Sequence, residues 1–457
     1  MELPKAFLER ISKEWTKEEL SAYLAFFSAE NHSIRINPNK NQGVLKIADL
    51  TPVPWCKETG FYLNERGAYT WDPAFQAGYY YVQEAASMAI GSVFNEWRVA
   101  YHKTGIVGID SCAAPGGKST HLLSLLDEKS DVLVSNEPIP KRRKTLIENI
   151  AKWGFCNSVV TGIDFTQKTL GTEIFDFAVV DAPCSGEGMF RKDDTAIEEW
   201  SEDNVEKCAI RQQEILSNLA KSIKQGGLLI YSTCTFNQLE NEEICEFLLN
   251  ADFKAMEINA KHQENGVKQI GNNGLRFIPG LTKSEGLFIS AFIKVKAEDA
   301  GKGKTADKPL HKEISLPELA LEKHCLIHKK DEEFYIITKE ASVFCQNLRK
   351  ENIHPGIVIG EEKGGKFMPH SPLAYASSMK VNYPTLQLEF DDAQAFLEGQ
   401  ALSLNRKTTG IHLCIYGDIP LGFVKAVGMR ANNLREKHLR IKNSLRPENR
   451  HKLLSQS

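Results

Sequence analysis

The stretch GIDSCAAPGGKST, residues 108–120, runs from a short apolar segment through small residues and two glycines into the start of a helix. A strand, a glycine loop and a helix in this order predict a ligand site, because the loop lets a ligand approach the backbone and the helix N-terminus offers unpaired N–H groups. The stretch lacks the Gly-x-Gly-x-x-Gly spacing of nicotinamide dinucleotide sites and the spacing of a P-loop. The sequence therefore predicts a different cofactor.

Apolar runs of strand length alternate with helix-length segments from Gly105 to about Lys296. The runs are GIVGID (105–110), DVLVSN (131–136), NSVVTGID (157–164), FDFAVVDA (175–182) and GLLIYST (227–233). Such alternation predicts βαβ units and a parallel sheet with helices on both faces. Parallel strands are covered on both sides, which explains why the runs are apolar throughout. The predicted fold class is α/β.

Acidic residues stand at the ends of the next three predicted strands. Glu137 closes the second strand, Asp164 the third and Asp181 the fourth. A single acid at such a place often only caps a helix. Four consecutive strand ends with a glycine loop or an acid favour a ligand site at the carboxyl edge of the sheet, where an acid after the second strand commonly takes ribose hydroxyls.

The segments on either side of this core differ from it in pattern. Residues 1–100 mix helical patterns with a possible short strand and are predicted to form an α+β domain, followed by the core at 101–296. The polar stretch AEDAGKGKTADKP predicts a linker at 297–310. Beyond it, hairpin-like segments and one amphipathic helix around 391–399 predict a β-rich region over 311–457.

Composition narrows the setting. The net charge of −3 and pI near 6.5 do not indicate a nucleic-acid binder, so such a role must rest on local basic patches. We find no apolar run of membrane-spanning length and expect a soluble, cytoplasmic monomer. The ten cysteines form no CxxC pair and no Cys/His cluster, so neither disulfides nor a metal are predicted.

Two cysteines stand directly after predicted strands, Cys184 in VVDAPCSGEG (179–188) and Cys234 in IYSTCTF (230–236). Free cysteines usually act as small buried hydrophobic residues. We expect that role for seven others, namely Cys56, Cys156, Cys208, Cys245, Cys325, Cys345 and Cys414. Neighbouring strands lie about 4.8 Å apart, so Cys184 and Cys234 are predicted to be close together at the cofactor edge.

Several motifs occur here in an order that resembles the S-adenosylmethionine-dependent RNA cytosine-5 methyltransferases of the Nol/Nop/Sun family. They are GYYYVQEAASM (78–88), DSCAAPGGKST (110–120), NEP (136–138), GID (162–164), DAPCSGEG (181–188), YSTCTF (231–236) and RFIPGLTKSEGLFISAFIK (276–294). The resemblance covers nearly the whole chain and is greatest to the RsmF-like bacterial branch, which methylates small-subunit ribosomal RNA. It implies a Rossmann-like core and a C-terminal module similar to a PUA domain.

The resemblance also implies roles for the residues at the strand ends. It implies Cys234 as the nucleophile, Asp181 as the partner of the ring nitrogen and Cys184 as the group that assists product release. The implied cofactor-binding residues are Asp181, Glu137 at the ribose, Asp164 near the adenine, and the loop residues Cys112, Ala113, Ala114, Pro115, Gly116, Gly117 and Lys118. The residues alone do not distinguish the roles of the two thiols.

The same motifs separate this chain from other methyltransferases. Enzymes that methylate an exocyclic amine typically carry an Asp/Asn-Pro-Pro-aromatic stretch where this chain has Asp181-Ala182-Pro183-Cys184. DNA cytosine-5 enzymes resemble this chain in the Pro-Cys pair but do not need the Thr-Cys pair, so both pairs favour RNA. A tRNA substrate and a non-catalytic assembly factor remain open alternatives.

Two basic segments are candidates for contact with RNA phosphates. The first, residues 141–144, also fits a solvated helix face. The second follows Leu421 and contains Lys425, Arg430, Arg435, Lys437, Arg440, Lys442, Arg446, Arg450 and Lys452. Basic charge concentrated at one end of the chain is typical of a phosphate-binding surface. Phe190 and Tyr80 could stack on a base, although both also fit a core.

Overall fold

The computed structural model of the chain describes residues 3–28, 30–41, 43–259, 265–296, 313–348, 353–442 and 454. The predicted linker, 297–310, lies outside the described residues. None of the described helices combines the length and apolar character needed to cross a lipid bilayer.

The N-terminal region combines helices with a small antiparallel sheet. Its helices are α1 (Lys5–Glu14), α2 (Lys17–Phe26), α3 (Pro73–Gln76) and α4 (Ala89–Tyr101), and its strands are β1 (His32–Ile36), β2 (Thr51–Pro52), β3 (Gly60–Leu63) and β4 (Tyr80–Val82). The strand order is β2-β3-β1-β4. Thr16 begins α2 with a capping box, in which its hydroxyl accepts from Glu19 N and the Glu19 carboxylate accepts from Thr16 N.

The catalytic region is the predicted parallel sheet with helices on both faces. Its strands are β5 (Val107–Asp110), β6 (Val132–Asn136), β7 (Ser158–Thr161), β8 (Phe175–Asp181), β9 (Ile223–Thr233), β10 (Phe253–Ala255), β11 (Lys268–Ile270), β12 (Gly274–Phe277) and β13 (Leu287–Lys294). Its helices are α5 (Gly117–Leu125), α6 (Pro140–Trp153), α7 (Asp194–Glu199), α8 (Glu202–Ala220) and α9 (Glu242–Leu249).

The strand order in this sheet is β12-β13-β9-β8-β5-β6-β7, parallel from β7 to β9, with β13 antiparallel to β9. The chain leaves β5 toward β6 and β7, then crosses to β8 and β9 on the other side. The reversal opens a crevice at the carboxyl end of β5, where open α/β sheets bind ligands. The glycine loop begins at that end.

The C-terminal region is rich in strands, as predicted. Its strands are β14 (Leu319–Leu321), β15 (Cys325–Lys330), β16 (Glu333–Thr338), β17 (His354–Pro355), β18 (Ile357–Lys363), β19 (Lys366–Pro369), β20 (Met379–Val381), β21 (Thr385–Leu388), β22 (Leu402–Tyr416) and β23 (Ile419–Asn433). Its helices are α10 (Lys339–Asn347), α11 (Ser371–Tyr375) and α12 (Phe390–Glu398), the last at the predicted amphipathic segment. The hairpins β15–β16, β18–β19 and β22–β23 coincide with the predicted hairpins.

The C-terminal region shares hydrophobic cores with both other regions. Strand β17 pairs with β7 and extends the catalytic sheet at that edge. Ile337 and Ala341 belong to the same buried cluster as Val159 on β7. On the N-terminal side, Phe396 packs in one cluster with Ile34 of β1. The C-terminal region therefore packs directly against both the N-terminal region and the catalytic sheet.

Candidate active site

The loop between β5 and α5 is held open by its backbone conformation and by contacts from α6. Gly116 has a φ of 114°, a left-handed conformation that suits glycine, and it leads directly into the N-terminus of α5. Asn149 of α6 donates to the Pro115 carbonyl at 2.8 Å, and Arg142 donates to the Ala114 carbonyl at 3.2 Å. The first N–H groups of α5 thus face the carboxyl edge of the sheet, where they can bind a polar ligand.

The acids at the next two strand ends differ in what surrounds them. Glu137 has a side chain only 2% exposed, and its carboxylate accepts from Ile139 N at 2.9 Å and lies 3.5 Å from Arg142 Nε. Asp164 accepts from Thr166 N at 3.0 Å and from Thr166 Oγ1 at 2.7 Å. The contacts of Asp164 within the described residues are those of a turn cap.

Asp181 and Lys118 form the charged centre of the crevice. The Lys118 ammonium lies 2.7 Å from Asp181 Oδ2, and the Ser232 hydroxyl donates to Asp181 Oδ1 at 2.9 Å. Burial lowers the pKa of Lys118, but the opposing charge and hydrogen bond of Asp181 outweigh burial and raise it, with smaller contributions from Asp110 and Cys234. Lys118 is therefore a cation held between the glycine loop and the end of β8.

The two thiols lie side by side next to this ion pair. Cys184 Sγ and Cys234 Sγ are 3.2 Å apart, and the Cys234 backbone N–H donates to Cys184 Sγ at 3.3 Å. The predicted proximity is confirmed. The pKa of Cys184 is raised well above its usual value, first by the hydrogen bond with Cys234, then by burial and by the negative charges of Cys234 and Glu240. Cys184 is thus held as a neutral thiol.

Polar side chains behind the thiols form a network that the sequence analysis missed. Its members are Ser185, Gln212, Asn237 and Glu240, and all of them are buried. Glu240 is an acid in a short loop before α9, a place where an acid usually interacts with the helix N-terminus. No periodicity or spacing in the sequence distinguishes it from that ordinary role.

The other cysteines are mostly core residues. Cys156, Cys208, Cys325, Cys345 and Cys414 are buried, as expected, whereas Cys56 and Cys245 are partly exposed. Within the described residues, no group of three or more His, Cys, Asp or Glu side chains could hold a metal ion.

Three of the residues considered for RNA contact have other roles. Tyr80 is buried and donates to Asp72 at 2.9 Å, and Phe190 packs edge-on against Phe7 with ring centroids 5.0 Å apart, so neither can stack on a base. Arg435 is 1% exposed and donates to Gln76 and Tyr375. It joins two regions of the protein and cannot reach a phosphate.

The remaining basic candidates differ in how exposed their side chains are. Lys425, Arg430, Lys437 and Lys442 are exposed, and Arg440 is partly buried. Arg446, Arg450 and Lys452 lie outside the described residues. In the basic run at 141–144, Arg142 donates to the Ala114 carbonyl and Arg143 donates to the Glu137 carbonyl at 3.0 Å. Both carbonyls belong to loops at the cofactor edge. In that run Lys141, Arg142 and Lys144 are exposed, and Arg143 is partly buried.

The parallel sheet with its reversed strand order, the glycine loop and the buried acid after β6 define the class of Rossmann-like folds that bind a nucleotide-containing cofactor. Three family models match the chain. They are the 16S rRNA methyltransferase RsmB/F at residues 102–293, the N-terminal domain of 16S rRNA methyltransferase RsmF at 3–85, and the methyltransferase RsmF PUA domain at 383–441. The chain belongs to this RsmB/F family of RNA methyltransferases.

Two relatives that match most of the chain are both named ribosomal RNA small subunit methyltransferase F. The ribosomal RNA small subunit methyltransferase F of Shewanella piezotolerans is 29% identical, over 88% of this chain and 89% of its own length. That of Shewanella woodyi is 28% identical over 95% and 96%. Among solved structures, NSun6 from Pyrococcus horikoshii with SFG has a TM-score of 0.52 and 21% identity, over 64% of this chain and 98% of its own. That last similarity concerns the fold.

Proposed function

We propose that this protein transfers a methyl group from S-adenosylmethionine to carbon 5 of a cytosine in 16S ribosomal RNA, through a covalent bond between Cys234 and the base. The observation that carries the proposal is the pair of thiols 3.2 Å apart, beside the ion pair of Lys118 and Asp181. The family and its relatives support ribosomal RNA as the substrate.

The residues at the carboxyl edge fit the cofactor. The loop residues Cys112, Ala113, Ala114, Pro115, Gly116, Gly117 and Lys118 would line its methionine and ribose side, because the open N-terminus of α5 lies there. The buried carboxylate of Glu137 would accept from the ribose hydroxyls, and Asp164 would lie near the adenine. When bound, the cofactor supplies an electrophilic methyl group on a sulfonium.

Carbon 5 of cytosine is a poor nucleophile, so the ring must first gain electrons. Cys234 would bond to carbon 6 as a thiolate, its proton would pass to nitrogen 3, and the Asp181 carboxylate would accept a hydrogen bond from the new N–H. Carbon 5 then carries the electrons that accept a methyl group. The carbon 5 proton would then leave to solvent, and the nitrogen 3 proton would return to the Cys234 sulfur as the bond to carbon 6 breaks. This restores the aromatic ring, and Cys184 would assist the release.

The charges around the thiols support this division of roles. The charge of Cys234 is one of the smaller contributions that raise the pKa of Lys118, so the sulfur of Cys234 lies near the ammonium. The pKa of Cys184 is raised by its hydrogen bond with Cys234, by burial and by the negative charges of Cys234 and Glu240. A thiolate is the attacking form of cysteine, so the raised pKa argues against Cys184 as the nucleophile.

The hairpin β22–β23 is the best candidate for contact with RNA phosphates. Its two strands contain no acidic residue, and Arg406, Lys407, Lys425 and Arg430 are exposed on them. We propose that this surface positions RNA. We also propose that residues 1–100 support the catalytic region 101–296. The chain would act as a monomer in the cytoplasm.

Transfer of tritiated methyl groups to 16S ribosomal RNA and to tRNA, followed by nucleoside analysis, tests the proposal. We expect label in 5-methylcytosine of 16S RNA, and loss of that nucleoside at one position in a strain that lacks the protein. Label in tRNA alone would contradict the substrate. Label in N4-methylcytosine would contradict the chemistry, and no label in any RNA would favour a non-catalytic assembly factor.

A further inference from the structure

Glu240 is a fully buried carboxylate surrounded by neutral donors. It accepts from Ser185 N at 3.0 Å, from Ser185 Oγ at 2.5 Å, from Asn237 Nδ2 at 2.7 Å and from Gln212 Nε2 at 2.8 Å. No salt bridge to Glu240 is present within the described residues, although a buried carboxylate without a cation is costly. The burial of the Glu240 carboxylate therefore points to a functional role.

The donors of Glu240 belong to the backbone on both sides of Cys184. Ser185 follows Cys184 directly, and its N–H and hydroxyl both point to the Glu240 carboxylate. Pro183 precedes Cys184, and its carbonyl accepts from Gln212 Nε2 at 3.0 Å, the same nitrogen that donates to Glu240. The backbone on both sides of Cys184 is thus linked to the Glu240 carboxylate, directly at Ser185 and by way of Gln212 at Pro183.

The same network reaches the loop that carries Cys234. Thr235, the next residue after Cys234, has its hydroxyl 3.0 Å from Ser185 Oγ. Tyr231, at the end of β9, donates to the Glu240 carbonyl at 2.6 Å and to Gln212 Oε1 at 2.9 Å. The position of Cys184 relative to Cys234 therefore depends on bonds that meet at Glu240.

We propose that Glu240 is a positioning residue for the release step, which holds the thiol of Cys184 against Cys234 while taking no part in the attack on the base. The inference rests on the proposed covalent function and deepens it. Glu240 contacts neither Lys118 nor Asp181 among the described residues, so its loss leaves their ion pair in place. The hydrogen bond with Cys234 and burial raise the pKa of Cys184 most, and the negative charge of Glu240 adds to them.

Glu240→Gln tests the proposal, because glutamine keeps the size of the side chain but loses the charge and one acceptor. On ordinary 16S RNA, we expect turnover to fall by about tenfold or more and the share of enzyme linked to RNA on a denaturing gel to rise severalfold. Adduct formation with 5-fluorocytidine-substituted RNA, which traps the attack, should stay within about threefold of wild type. Affinity for S-adenosylmethionine, measured by calorimetry, should not change.

Asp176→Asn is the matched control. Asp176 is a buried carboxylate on β8, at the opposite end of the sheet, where it pairs with Lys103 and Lys224. Its amide variant should lose stability without accumulating adduct. Ser185→Ala, which removes one bond to Glu240, is the milder second variant and should show a smaller accumulation of adduct, even if Glu240→Gln does not fold.

Two results would overturn the assignment of Glu240. One is unchanged turnover without adduct in both Glu240→Gln and Ser185→Ala. The other is a parallel loss of attack and turnover in the folded variants, which would mean that Glu240 holds the whole site. Failure of the covalent mechanism itself is recognised separately, because the wild-type protein would then form no adduct with the fluorinated RNA.

Discussion

At the scale of single residues, the two thiols differ in their neighbours more than in their own geometry. Both follow a strand end, and both are partly exposed. Cys234 lies on the side of the Lys118 ammonium, whereas Cys184 has a raised pKa, set by Cys234, by burial and by Glu240. The raised pKa of Cys184 disfavours its thiolate, which is the attacking form of cysteine, and sequence position alone does not show this difference.

The two cysteine variants should therefore fail in different ways. Cys234→Ala removes the attacking sulfur, so neither RNA adduct nor methylated product should form. Cys184→Ala still attacks and methylates, but release is impaired, so a slow band of enzyme linked to RNA should appear on a denaturing gel. An adduct with Cys234→Ala and none with Cys184→Ala would reverse the roles. Unchanged methyl transfer in both variants would exclude covalent catalysis by these thiols.

Glu137 offers a test of the cofactor site that is independent of RNA. We proposed that its buried carboxylate accepts from the ribose hydroxyls, so Glu137→Ala should weaken binding of S-adenosylmethionine by about tenfold or more, as expected for loss of a charged hydrogen-bond acceptor. Calorimetry measures the affinity directly. Glu148→Ala, on the far end of α6, is the control and should bind as wild type does. Equal affinities for both variants would remove Glu137 from the site.

At the scale of secondary structure elements, the sequence was sufficient for the catalytic sheet. Its five parallel strands follow the apolar runs, because parallel strands must be buried on both faces. The proximity of the thiols followed from their places after two neighbouring strands of one parallel sheet. Glu240 could not be found in this way, because its role depends on Ser185 and Gln212, which come from different loops and helices. Tertiary hydrogen bonds leave no periodic signal.

Prediction from charge alone also failed at Arg435, which was grouped with its basic neighbours. A run of basic residues does not show which side chain points inward, and Arg435 is fixed by Gln76 and Tyr375, far away in the sequence. Exposed Lys425 and Arg430 on β23 keep the expected surface position. Arg435 therefore does not belong to the basic surface, whereas Lys425 and Arg430 of the hairpin β22–β23 do.

The hairpin β22–β23 should control the salt dependence of RNA binding. When one basic side chain that binds a phosphate of single-stranded RNA is removed, the slope of log affinity against log salt falls by about 0.7. Lys425→Ala combined with Arg430→Ala should therefore lower the slope by about 1.4, with little change in cofactor affinity. Lys366→Ala with Lys380→Ala removes two exposed charges from other strands of the same region and should have no such effect. Equal slopes for both double variants would contradict the assignment.

At the scale of the whole molecule, the C-terminal region is tied to both other regions. Strand β17 extends the catalytic sheet, while Arg435 reaches Gln76 beside the N-terminal sheet. The proposed RNA surface on β22–β23 is thereby held at one position relative to the thiols. Contacts with phosphates on that surface would then help to select which cytosine enters the crevice.

Arg435 should contribute strongly to this connection. Arg435→Met keeps an unbranched apolar stem but removes the guanidinium, which leaves Gln76 Oε1 and Tyr375 with fewer partners in a buried place. We expect the free energy of unfolding in urea to fall by about 2 to 4 kcal/mol. The exposed control Arg430→Met should change it by less than about 0.5 kcal/mol. A small effect in both variants would show that the shared cores alone hold the regions together.

The junction at β17 should also make the protein sensitive to acid. Burial lowers the pKa of His354 from 6.5 to about 4, against the smaller opposing effect of Glu333, so the folded protein keeps this side chain neutral. The unfolded chain takes up a proton near pH 6.5, so the free energy of unfolding must fall as pH drops from about 6.5 toward about 4. The loss is on the order of 1 to 3 kcal/mol. His354→Phe, which can pack against Tyr335, should reduce the fall in the free energy of unfolding over this pH range, measured by urea unfolding at each pH. His438→Phe, at a half-exposed position, should not reduce it. If the wild-type protein and His354→Phe lost stability equally between these pH values, other groups would control the acid response.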